Sequence, residues 1–219
     1  MNKSYSIDYQ NPHIILKPLG PHKRSVIFMH GLGDSASGWY DIFLEEKLNL
    51  EDAKIILLTA PIAPVGINGG MQMTSWFDIS QDENNVYHHS IDEARKNVKF
   101  VQGYIDKEIE HFKGNASNVF VGGFSQGGAM SLLIGLENEK ELGGVFALSG
   151  FCFAETQIKQ PNLRMLVTHG DEDQMIKFKE ADASYEKIKS LKNFSFTKIS
   201  NLGHSVNHKV FTLLAKFFK

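Results

Sequence analysis

Short apolar runs alternate along the chain with longer stretches whose apolar residues recur at helical spacing. These runs predict strands at 14–16, 25–29, 54–59, 118–122, 144–148, 163–168 and 194–199. The run at 25–29 is nearly all apolar, which is typical of a strand covered on both faces. Apolar residues at steps of three and four predict helices at 39–48, 90–112, 129–137, 177–191 and 206–218. This order predicts an α/β fold with a mostly parallel central sheet and helices on both faces.

The stretch 60–85 shows neither a helical nor a strand period. It contains Pro61, Pro64 and three glycines, and it is long for a loop inside a compact domain. Such a stretch is usually either a functional loop or a secondary-structure element that the pattern fails to reveal, and we interpret 61–85 as a lid-like segment. No linker, internal repeat or low-complexity segment divides the chain, and we predict one domain over 1–219.

Composition narrows the class of protein. The 219 residues suffice for one hydrophobic core, and the net charge of −2 gives no electrostatic case for a nucleic-acid partner. The lone Cys152 excludes an internal disulfide, which favours a reducing compartment. Residues 1–13 lack the apolar core of a signal peptide, and the most apolar stretch, 55–67, is too short to span a bilayer. We therefore expect a soluble cytoplasmic protein.

A Gly-x-Ser-x-Gly motif joins the strand at 118–122 to the helix at 129–137, with glycines at Gly123 and Gly127 and the serine at Ser125. Between a strand and a helix this motif makes a sharp turn that exposes the serine side chain beside a helix N-terminus. Serine also occurs in ordinary turns. In this context, however, the motif predicts the nucleophilic serine of a hydrolase.

Candidate partners for Ser125 follow the last two predicted strands. Asp171 and Asp173 come after the first of them, and His204 comes after the second. The functional loops of an open α/β sheet meet at the carboxyl ends of its strands. The order serine, aspartate, histidine is that of α/β-hydrolases. On this evidence either aspartate could be the acid.

Several further motifs surround these residues. They are His30-Gly31-Leu32-Gly33-Asp34, Ala60-Pro61 with Pro64-Val65, Asn68-Gly69-Gly70, Ser75-Trp76-Phe77-Asp78, Gly123-Phe124-Ser125-Gln126-Gly127-Gly128-Ala129, Leu148-Ser149-Gly150, His169-Gly170-Asp171 with Asp173, and Gly203-His204. Together they resemble the acyl-protein thioesterase and carboxylesterase family of α/β-hydrolases, also called the phospholipase/carboxylesterase family. One difference is visible after the acid, where Gln174-Met175-Ile176-Lys177 replaces the aliphatic pair and proline that family members often carry.

The resemblance implies an α/β-hydrolase fold and a role for each residue of the site. It implies Ser125 as nucleophile, Asp173 as acid and His204 as base. It also implies that the backbone N–H groups of Leu32 and Gln126 form the oxyanion hole. These types of residue are needed because a serine hydroxyl is a weak nucleophile without a base, and a carboxylate fixes the tautomer of that base.

The same resemblance implies hydrolysis of carboxylic esters and thioesters through an acyl-enzyme. Possible substrates are S-acylated proteins, lysophospholipids and small acylated molecules. The alternatives are a small-ester carboxylesterase without protein substrates and a non-catalytic module that binds acyl chains. We expect no metal and no cofactor: His208 lies four residues after His204, a spacing that fits a metal pair, but no third ligand is evident. His30 and Asp34 are expected to shape the oxyanion loop rather than to react.

The stretch 62–77 follows a strand and should lie at the active-site edge. Its apolar residues include Ile62, Val65, Met71, Met73 and Trp76. Methionine adapts to irregular apolar shapes and tryptophan adds contact area. We therefore predict that these five residues contact substrate, as a movable lid and one wall of an acyl groove, and that 61–77 touches membranes peripherally. A loop folded over the core is the rival interpretation. We expect a monomer or a weak homodimer.

Overall fold

The computed structural model describes residues 4–45 and 48–219. In chain order its strands are β1 (Tyr5–Gln10), β2 (His13–Pro18), β3 (Arg24–Met29), β4 (Ala53–Leu58), β5 (Ile62–Val65), β6 (Met71–Thr74), β7 (Ile79–Gln81), β8 (Tyr87–His89), β9 (Val119–Phe124), β10 (Gly144–Leu148), β11 (Met165–Gly170) and β12 (Phe194–Ile199). Its helices are α1 (Ser37–Glu45), α2 (Ile91–His111), α3 (Gln126–Glu137), α4 (Phe178–Ser184) and α5 (His208–Phe217).

An eight-stranded sheet forms the centre, in the order β1-β2-β4-β3-β9-β10-β11-β12. β2 runs antiparallel to both of its neighbours, whereas the strands from β4 to β12 in this order are parallel. β3 and β9 are neighbours, but the chain goes from β3 to one edge of the sheet and from β9 to the other. Such a switch point opens a crevice at the carboxyl ends of the two strands.

The side chains of the central strands alternate between two apolar cores, one on each face of the sheet. Ile27 and Val121 pack on the face covered by α2, α3 and α4. Phe28 and Phe146 pack on the face covered by α1 and α5. Because both faces are buried, these strands are continuous apolar runs in the sequence. The predicted α/β-hydrolase fold, with a mostly parallel sheet between helices, is confirmed.

Predicted and observed boundaries agree best for β10, β12 and α2. α2 begins after Ser90, whose Oγ accepts a hydrogen bond from the N–H of Glu93 at 3.4 Å. Gly114, with φ at 90°, follows the end of this helix, where a left-handed residue commonly stops a helix. The helix predicted at 39–48 is α1, which ends at Glu45; residues 46 and 47 lie outside the described residues.

The interpretation of 60–85 as irregular is wrong. Within it β5 pairs antiparallel with β6, and β7 pairs with β8 just beyond its end. Gly69 and Gly70 allow the turn of the first hairpin, with φ at 63° and 80°. These strands are short and largely exposed, so they lack the alternation of apolar and polar residues by which a strand is recognised.

Two further differences from prediction are larger than a shift of two or three residues. β1 precedes the strand expected to be first; it is an edge strand without a buried residue, and its sequence is therefore polar. α4 ends at Ser184 rather than at residue 191. Beyond it the chain tightens, and the N–H of Ile188 bonds to the carbonyl of Tyr185, three residues back, at 2.8 Å. This tighter winding lets Tyr185 and Ile188 both enter the same core.

Candidate active site

Ser125 occupies a strained turn between β9 and α3. Its φ of 55° and ψ of −118° lie outside the regions that non-glycine residues favour, at a cost of about 1 to 3 kcal/mol. The turn closes because two glycines flank it. A Cβ on Gly123 would lie 2.3 Å from the backbone of Gly127, and a Cβ on Gly127 would lie 2.0 Å from the carbonyl oxygen of Met29. The sharp turn predicted from Gly-x-Ser-x-Gly is therefore present.

Three side chains form an unbroken hydrogen-bonded chain. The Oγ of Ser125 lies 2.9 Å from the Nε2 of His204, and the Nδ1 of His204 lies 2.7 Å from the Oδ2 of Asp173. Because a carboxylate only accepts hydrogen bonds, the partners assign the proton of His204 to Nδ1 and leave Nε2 free to accept from the hydroxyl. The residues come from the turn after β9 and the loops after β11 and β12, at the carboxyl edge of the sheet.

Asp173 is surrounded by donors. Its Oδ1 accepts from the N–H groups of Met175 and Ile176, both at 2.9 Å, and its Oδ2 faces two imidazoles, those of His204 and His169. Burial opposes the charged carboxylate, but the hydrogen bonds from His169, His204 and the backbone of Ile176 outweigh it. The pKa of Asp173 therefore lies well below its usual value.

Asp171, the other aspartate that the sequence left open, has a different environment. Its Oδ1 accepts from the N–H of Asn201 at 2.8 Å, and its Oδ2 lies 3.9 Å from the Nζ of Lys198. These contacts tie the loop after β11 to β12 and the residues that follow it. Of the two candidates, Asp173 is therefore the one in contact with His204.

The loop after β3 faces Ser125 across the crevice and is held by its own side chains. The buried His30 contacts the carbonyl oxygen of Gly31 through Nδ1 at 2.5 Å and accepts from the N–H of Ala60 through Nε2 at 2.9 Å. Burial lowers the pKa of His30, which favours the neutral ring that these two contacts require. Asp34 accepts from the indole of Trp39 at 3.0 Å. Both side chains thus shape the loop, as predicted.

Gln126 joins the start of α3 to the segment before β7. Its buried side chain accepts from the N–H of Trp76 at 3.0 Å and donates to the carbonyl of Phe77 at 2.7 Å. Its own backbone N–H is at the first position of a helix, where no intrahelical acceptor exists. Leu32 and Gln126 border the same cavity as Ser125, on opposite sides of the switch point.

A cavity of about 690 Å³ opens beside Ser125 and His204. Its walls come from the loops after β3, β9, β10 and β11 and from both hairpins. Most of the wall side chains away from Ser125 and His204 are apolar or aromatic, with a few polar ones between them: Ile67, Asn68, Ile79, Tyr87, His89, Phe124, Phe151, Gln174, Met175, Ile176, Glu180 and Ser184. Such a cleft suits a substrate with an apolar part next to its reacting carbonyl.

Comparison with known proteins identifies the family to which this chain belongs. A sequence profile of the family described as Phospholipase/Carboxylesterase matches residues 10–219. The chain belongs to the phospholipase/carboxylesterase family. The predicted class of enzyme, a serine hydrolase of carboxylic esters and thioesters, is confirmed by this membership and by the relatives that follow.

Among curated relatives, the chain is 35% identical over 215 residues to acyl-protein thioesterase 1 homolog 1 of Dictyostelium discoideum, covering 93% of this chain and 92% of the relative. It is 35% identical over 196 residues to acyl-protein thioesterase 1 of Mycosarcoma maydis, covering 82% and 80%. Among solved structures, Arabidopsis thaliana SOBER1 matches with a TM-score of 0.74 at 30% identity, over 89% of this chain and 96% of that one. Zea mays acyl-protein thioesterase 2 shares the fold, with a TM-score of 0.80 at 23% identity over 94% and 96%.

The structure of this phospholipase/carboxylesterase family member places the five predicted substrate contacts away from the cavity wall. Val65 and Trp76 are fully buried, and the Trp76 indole donates to the carbonyl of His30 at 2.9 Å. Ile62 and Met71 are exposed on the β5–β6 hairpin. The Sδ of Met73 accepts from the Nδ2 of Asn68 at 3.3 Å, so Met73 contacts a residue that borders the cavity.

The wall residues of this enzyme were largely missed by sequence reasoning. Tyr87, His89 and Ile79 belong to a hairpin that had no periodic signal. Phe151 follows the Leu148-Ser149-Gly150 motif at the carboxyl end of β10, and that position alone was a usable signal for a wall residue.

The described residues also bear on metal binding and on whether a helix could cross a membrane. Within 4–45 and 48–219, no group of three or more His, Cys, Asp or Glu side chains is placed to hold a metal ion. His208 is the first residue of α5, whereas His204 is engaged with Ser125 and Asp173. Over the same two ranges, every helix is too short or too polar to cross a membrane.

Proposed function

We propose that Ser125, His204 and Asp173 are the catalytic triad of this hydrolase and that the N–H groups of Leu32 and Gln126 form its oxyanion hole. The observation that carries the proposal is the continuous contact from the Ser125 hydroxyl through His204 to Asp173 at the wall of the cavity. A non-catalytic module that binds acyl chains would need none of these contacts.

Acylation follows from the positions of the protons. The Nε2 of His204 takes the proton of the Ser125 hydroxyl while Oγ attacks the carbonyl carbon of the bound ester or thioester. The N–H groups of Leu32 and Gln126 stabilise the oxyanion of the tetrahedral intermediate, and one such donor contributes about 3 kcal/mol. Collapse returns the proton from His204 to the leaving alcohol or thiol and leaves the acyl group on Ser125. Asp173 stays ionised and stabilises the imidazolium throughout.

Deacylation repeats the chemistry with water. His204 deprotonates a water molecule, which attacks the acyl carbonyl, and the proton then passes to the Oγ of Ser125. The acid is released and the serine is regenerated. The strained turn favours both steps because it holds Oγ at the N-terminus of α3, where the free N–H groups of the helix favour negative charge.

We further propose that its substrates include S-acylated proteins, lysophospholipids and small acylated molecules. The curated relatives are acyl-protein thioesterases, and the cavity offers apolar surface from Phe151, Tyr87 and Ile176 to an acyl chain. Each buried methylene contributes about 0.8 kcal/mol at most. The competing proposal is a small-ester carboxylesterase without protein substrates. An S-palmitoylated peptide separates the two, because only the first proposal expects its hydrolysis at a rate comparable to that of short esters.

The hairpin of β5 and β6 is proposed as the lid-like edge of the site. Its base is tied to the oxyanion loop, since Thr74 accepts from the N–H of Gly33 at 2.8 Å and donates to the carbonyl of Asp34 at 2.6 Å. Met71, next to the turn, is exposed, and so is Ile62, which pairs with Thr74 at the base of the hairpin. We propose motion for the part of the hairpin near the turn and peripheral membrane contact for the exposed Ile62 and Met71. Co-sedimentation with vesicles of wild type and of Ile62→Ser/Met71→Ser tests the contact.

We retain three other expectations as proposals: a single domain over 1–219, a cytoplasmic location, and a monomer or weak homodimer. The single Cys152, which is buried, is compatible with a reducing compartment. Cell fractionation and sedimentation equilibrium test the last two of them directly.

Labelling with a fluorophosphonate tests the proposed nucleophile. Peptide mapping should find the probe on Ser125, and Ser125→Ala should remove both labelling and hydrolysis. Ser205→Ala is the matched control, since Ser205 is an exposed serine next to His204 and should label like wild type. A probe attached to another residue would exclude Ser125 as the nucleophile.

A further inference from the structure

His169 is a buried residue near the end of β11 that the mechanism has not used. Its side chain is 0% exposed. Its Nε2 lies 2.7 Å from the carbonyl oxygen of Ile176 and 3.3 Å from the Oδ2 of Asp173. Its Nδ1 is buried without a hydrogen-bond partner among the described residues. One ring nitrogen therefore faces the acid loop, and the other makes no hydrogen bond within the described part of the chain.

These contacts fix the tautomer of the ring. A carbonyl oxygen only accepts hydrogen bonds, so the Nε2 of His169 must carry the proton that points to Ile176. A second proton on Nδ1 would be an unsatisfied buried donor and would be costly. The geometry therefore assigns an N–H to the Nε2 of His169, where it bonds to the Ile176 carbonyl and lies 3.3 Å from the Oδ2 of Asp173.

This N–H completes the set of donors around Asp173. Oδ1 is held by the N–H groups of Met175 and Ile176, and Oδ2 is held between His204 and His169. With donors on both oxygens, the carboxylate cannot rotate without breaking contacts. The plane of the carboxylate in turn decides where the imidazole of His204 lies relative to the Ser125 hydroxyl.

Part of the acid loop is exposed, and a contact with a rigid strand supports it. Gln174 and Met175 are exposed, Met175 by 72%, and no proline stiffens 174–177. β11, by contrast, is fully buried between β10 and β12. His169 is the side chain through which this rigid strand holds both the carboxylate of Asp173 and the backbone of Ile176, a residue that also borders the cavity.

We propose that His169 is a positioning residue: its Nε2–H holds the carboxylate of Asp173 and the carbonyl of Ile176 so that His204 stays in line with Ser125. The proposal rests on the proposed function of the triad. His169 does not touch substrate and takes no proton. It acts only through Asp173 and the loop that carries it.

The first test compares His169→Leu with His169→Gln on a short ester such as p-nitrophenyl acetate. Leu removes the donor, and we expect kcat to fall about 10- to 100-fold, the size of one charge-assisted hydrogen bond, with KM changed by less than about threefold. Gln keeps an N–H donor at a similar reach and should recover most of kcat. Loss of kcat to the same extent in both folded variants would overturn the proposal.

The pH profile supplies a readout that a merely structural residue would not change. Without the His169 donor, more negative charge on Asp173 faces His204, which favours the imidazolium. The acidic limb of kcat/KM should therefore move to higher pH in His169→Leu and return toward wild type in His169→Gln. The titratable neighbours of Asp173 are the two histidines, with the buried Tyr185 also interacting electrostatically. An unmoved limb in His169→Leu contradicts the inference.

A double-mutant cycle with Asp173→Asn separates this inference from the triad itself. If His169 acts through Asp173, then His169→Leu should cost little further activity in the Asp173→Asn background, whereas independent roles would give multiplied losses. Multiplied losses overturn the proposal. If Asp173→Asn alone is harmless, the triad assignment fails; if it is harmful and His169→Leu is harmless, only the role of His169 fails.

Discussion

The acid of the proposed triad is buried and held by several hydrogen bonds, whereas the rim of the cavity is exposed. Asp173 is completely buried, accepts from two backbone N–H groups and faces two imidazoles. At the rim, the β5–β6 hairpin exposes apolar side chains, with Ile62 at 71% and Met71 at 62%. The first region has little freedom because each displacement breaks hydrogen bonds in a low dielectric. The second can change shape at small cost.

We expect the first region to determine the rate of the reaction and the second to determine the preference among substrates. Parallel strands buried on both faces hold the turn of Ser125 and the acid loop, so the reacting groups keep their distances. Two short antiparallel hairpins outside the main sheet supply part of the cavity wall. Substitutions in the first region should therefore change kcat for all substrates, whereas substitutions in the second should change the preference among acyl chains.

The largest effect is expected from Ser125→Ala. Loss of the nucleophile should lower kcat for ester hydrolysis by roughly four to six orders of magnitude, leaving only binding and oxyanion stabilisation. The fold should persist, because the strained turn depends on Gly123 and Gly127 rather than on the hydroxyl. Circular dichroism and steady-state kinetics check both points. Residual activity near that of wild type would contradict the role of Ser125.

His204→Ala should be nearly as damaging, and Asp173→Asn less so, with a loss of about 100- to 10,000-fold in kcat. Orientation of the base contributes less than the base itself. Asp171→Asn is the matched control: its carboxylate contacts Asn201 and lies near Lys198, not His204. If the control lowers kcat more than Asp173→Asn does, the acid has been assigned to the wrong aspartate.

A smaller effect is expected on selectivity at the rim. If the β5–β6 hairpin is the proposed lid-like edge and meets the part of a long acyl chain that extends past the cavity, Met71→Ser/Met73→Ser should lower kcat/KM for an eight-carbon or longer ester by about three- to tenfold and spare the acetate ester, because each lost methylene contact is worth at most about 0.8 kcal/mol. Leu19→Ser is the control, since Leu19 is exposed by 63% and lies outside the cavity. Equal losses at all chain lengths would show that the hairpin is only structural.

The variant Tyr87→Ser tests whether the acyl chain contacts the cavity wall or the hairpin at the rim. Tyr87 borders the cavity directly, whereas Met71 does not. Tyr87→Ser should therefore lower long-chain activity more than Met71→Ser alone, measured on the same ester series. The opposite ranking would mean that acyl chains follow the β5–β6 hairpin rather than the cavity beside β8.

The depressed pKa of Asp173 predicts a pH dependence of stability. The folded pKa lies below the unfolded value of about 3.9, so the charged group stabilises the fold fully above the unfolded pKa and progressively less as pH falls through the folded one. In urea unfolding, the difference between wild type and Asp173→Asn should be constant above about pH 5 and narrow below about pH 4. A difference that widens in acid would contradict this sign.

No effect is expected from chelators. The proposed steps use only Ser125, His204, Asp173, two backbone N–H groups and water. Hydrolysis measured with and without EDTA should agree within experimental error. Activity lost in EDTA and restored by a divalent ion would call for a metal ligand set, beginning with His204 and His208.

The sequence by itself determined the central strands and the chain positions of the proposed reacting groups. Strands buried on both faces are apolar throughout, so β10 has the boundaries that the pattern predicts. The loops after β9, β11 and β12 meet at one edge because parallel strands share a direction. The turn at Ser125 is likewise local, since it needs only glycines where a Cβ would collide with the backbone.

Only the tertiary structure decided which residues form the wall of the cavity and which atoms surround the acid. The hairpins β5–β6 and β7–β8 are held by backbone pairing and contacts with distant loops, so their exposed side chains carry no period. The contact of Asp173 with His204 spans 31 positions, and that of His169 depends on how the acid loop folds back on β11. Periodicity records which face of an element is buried, but not which distant side chain meets it there.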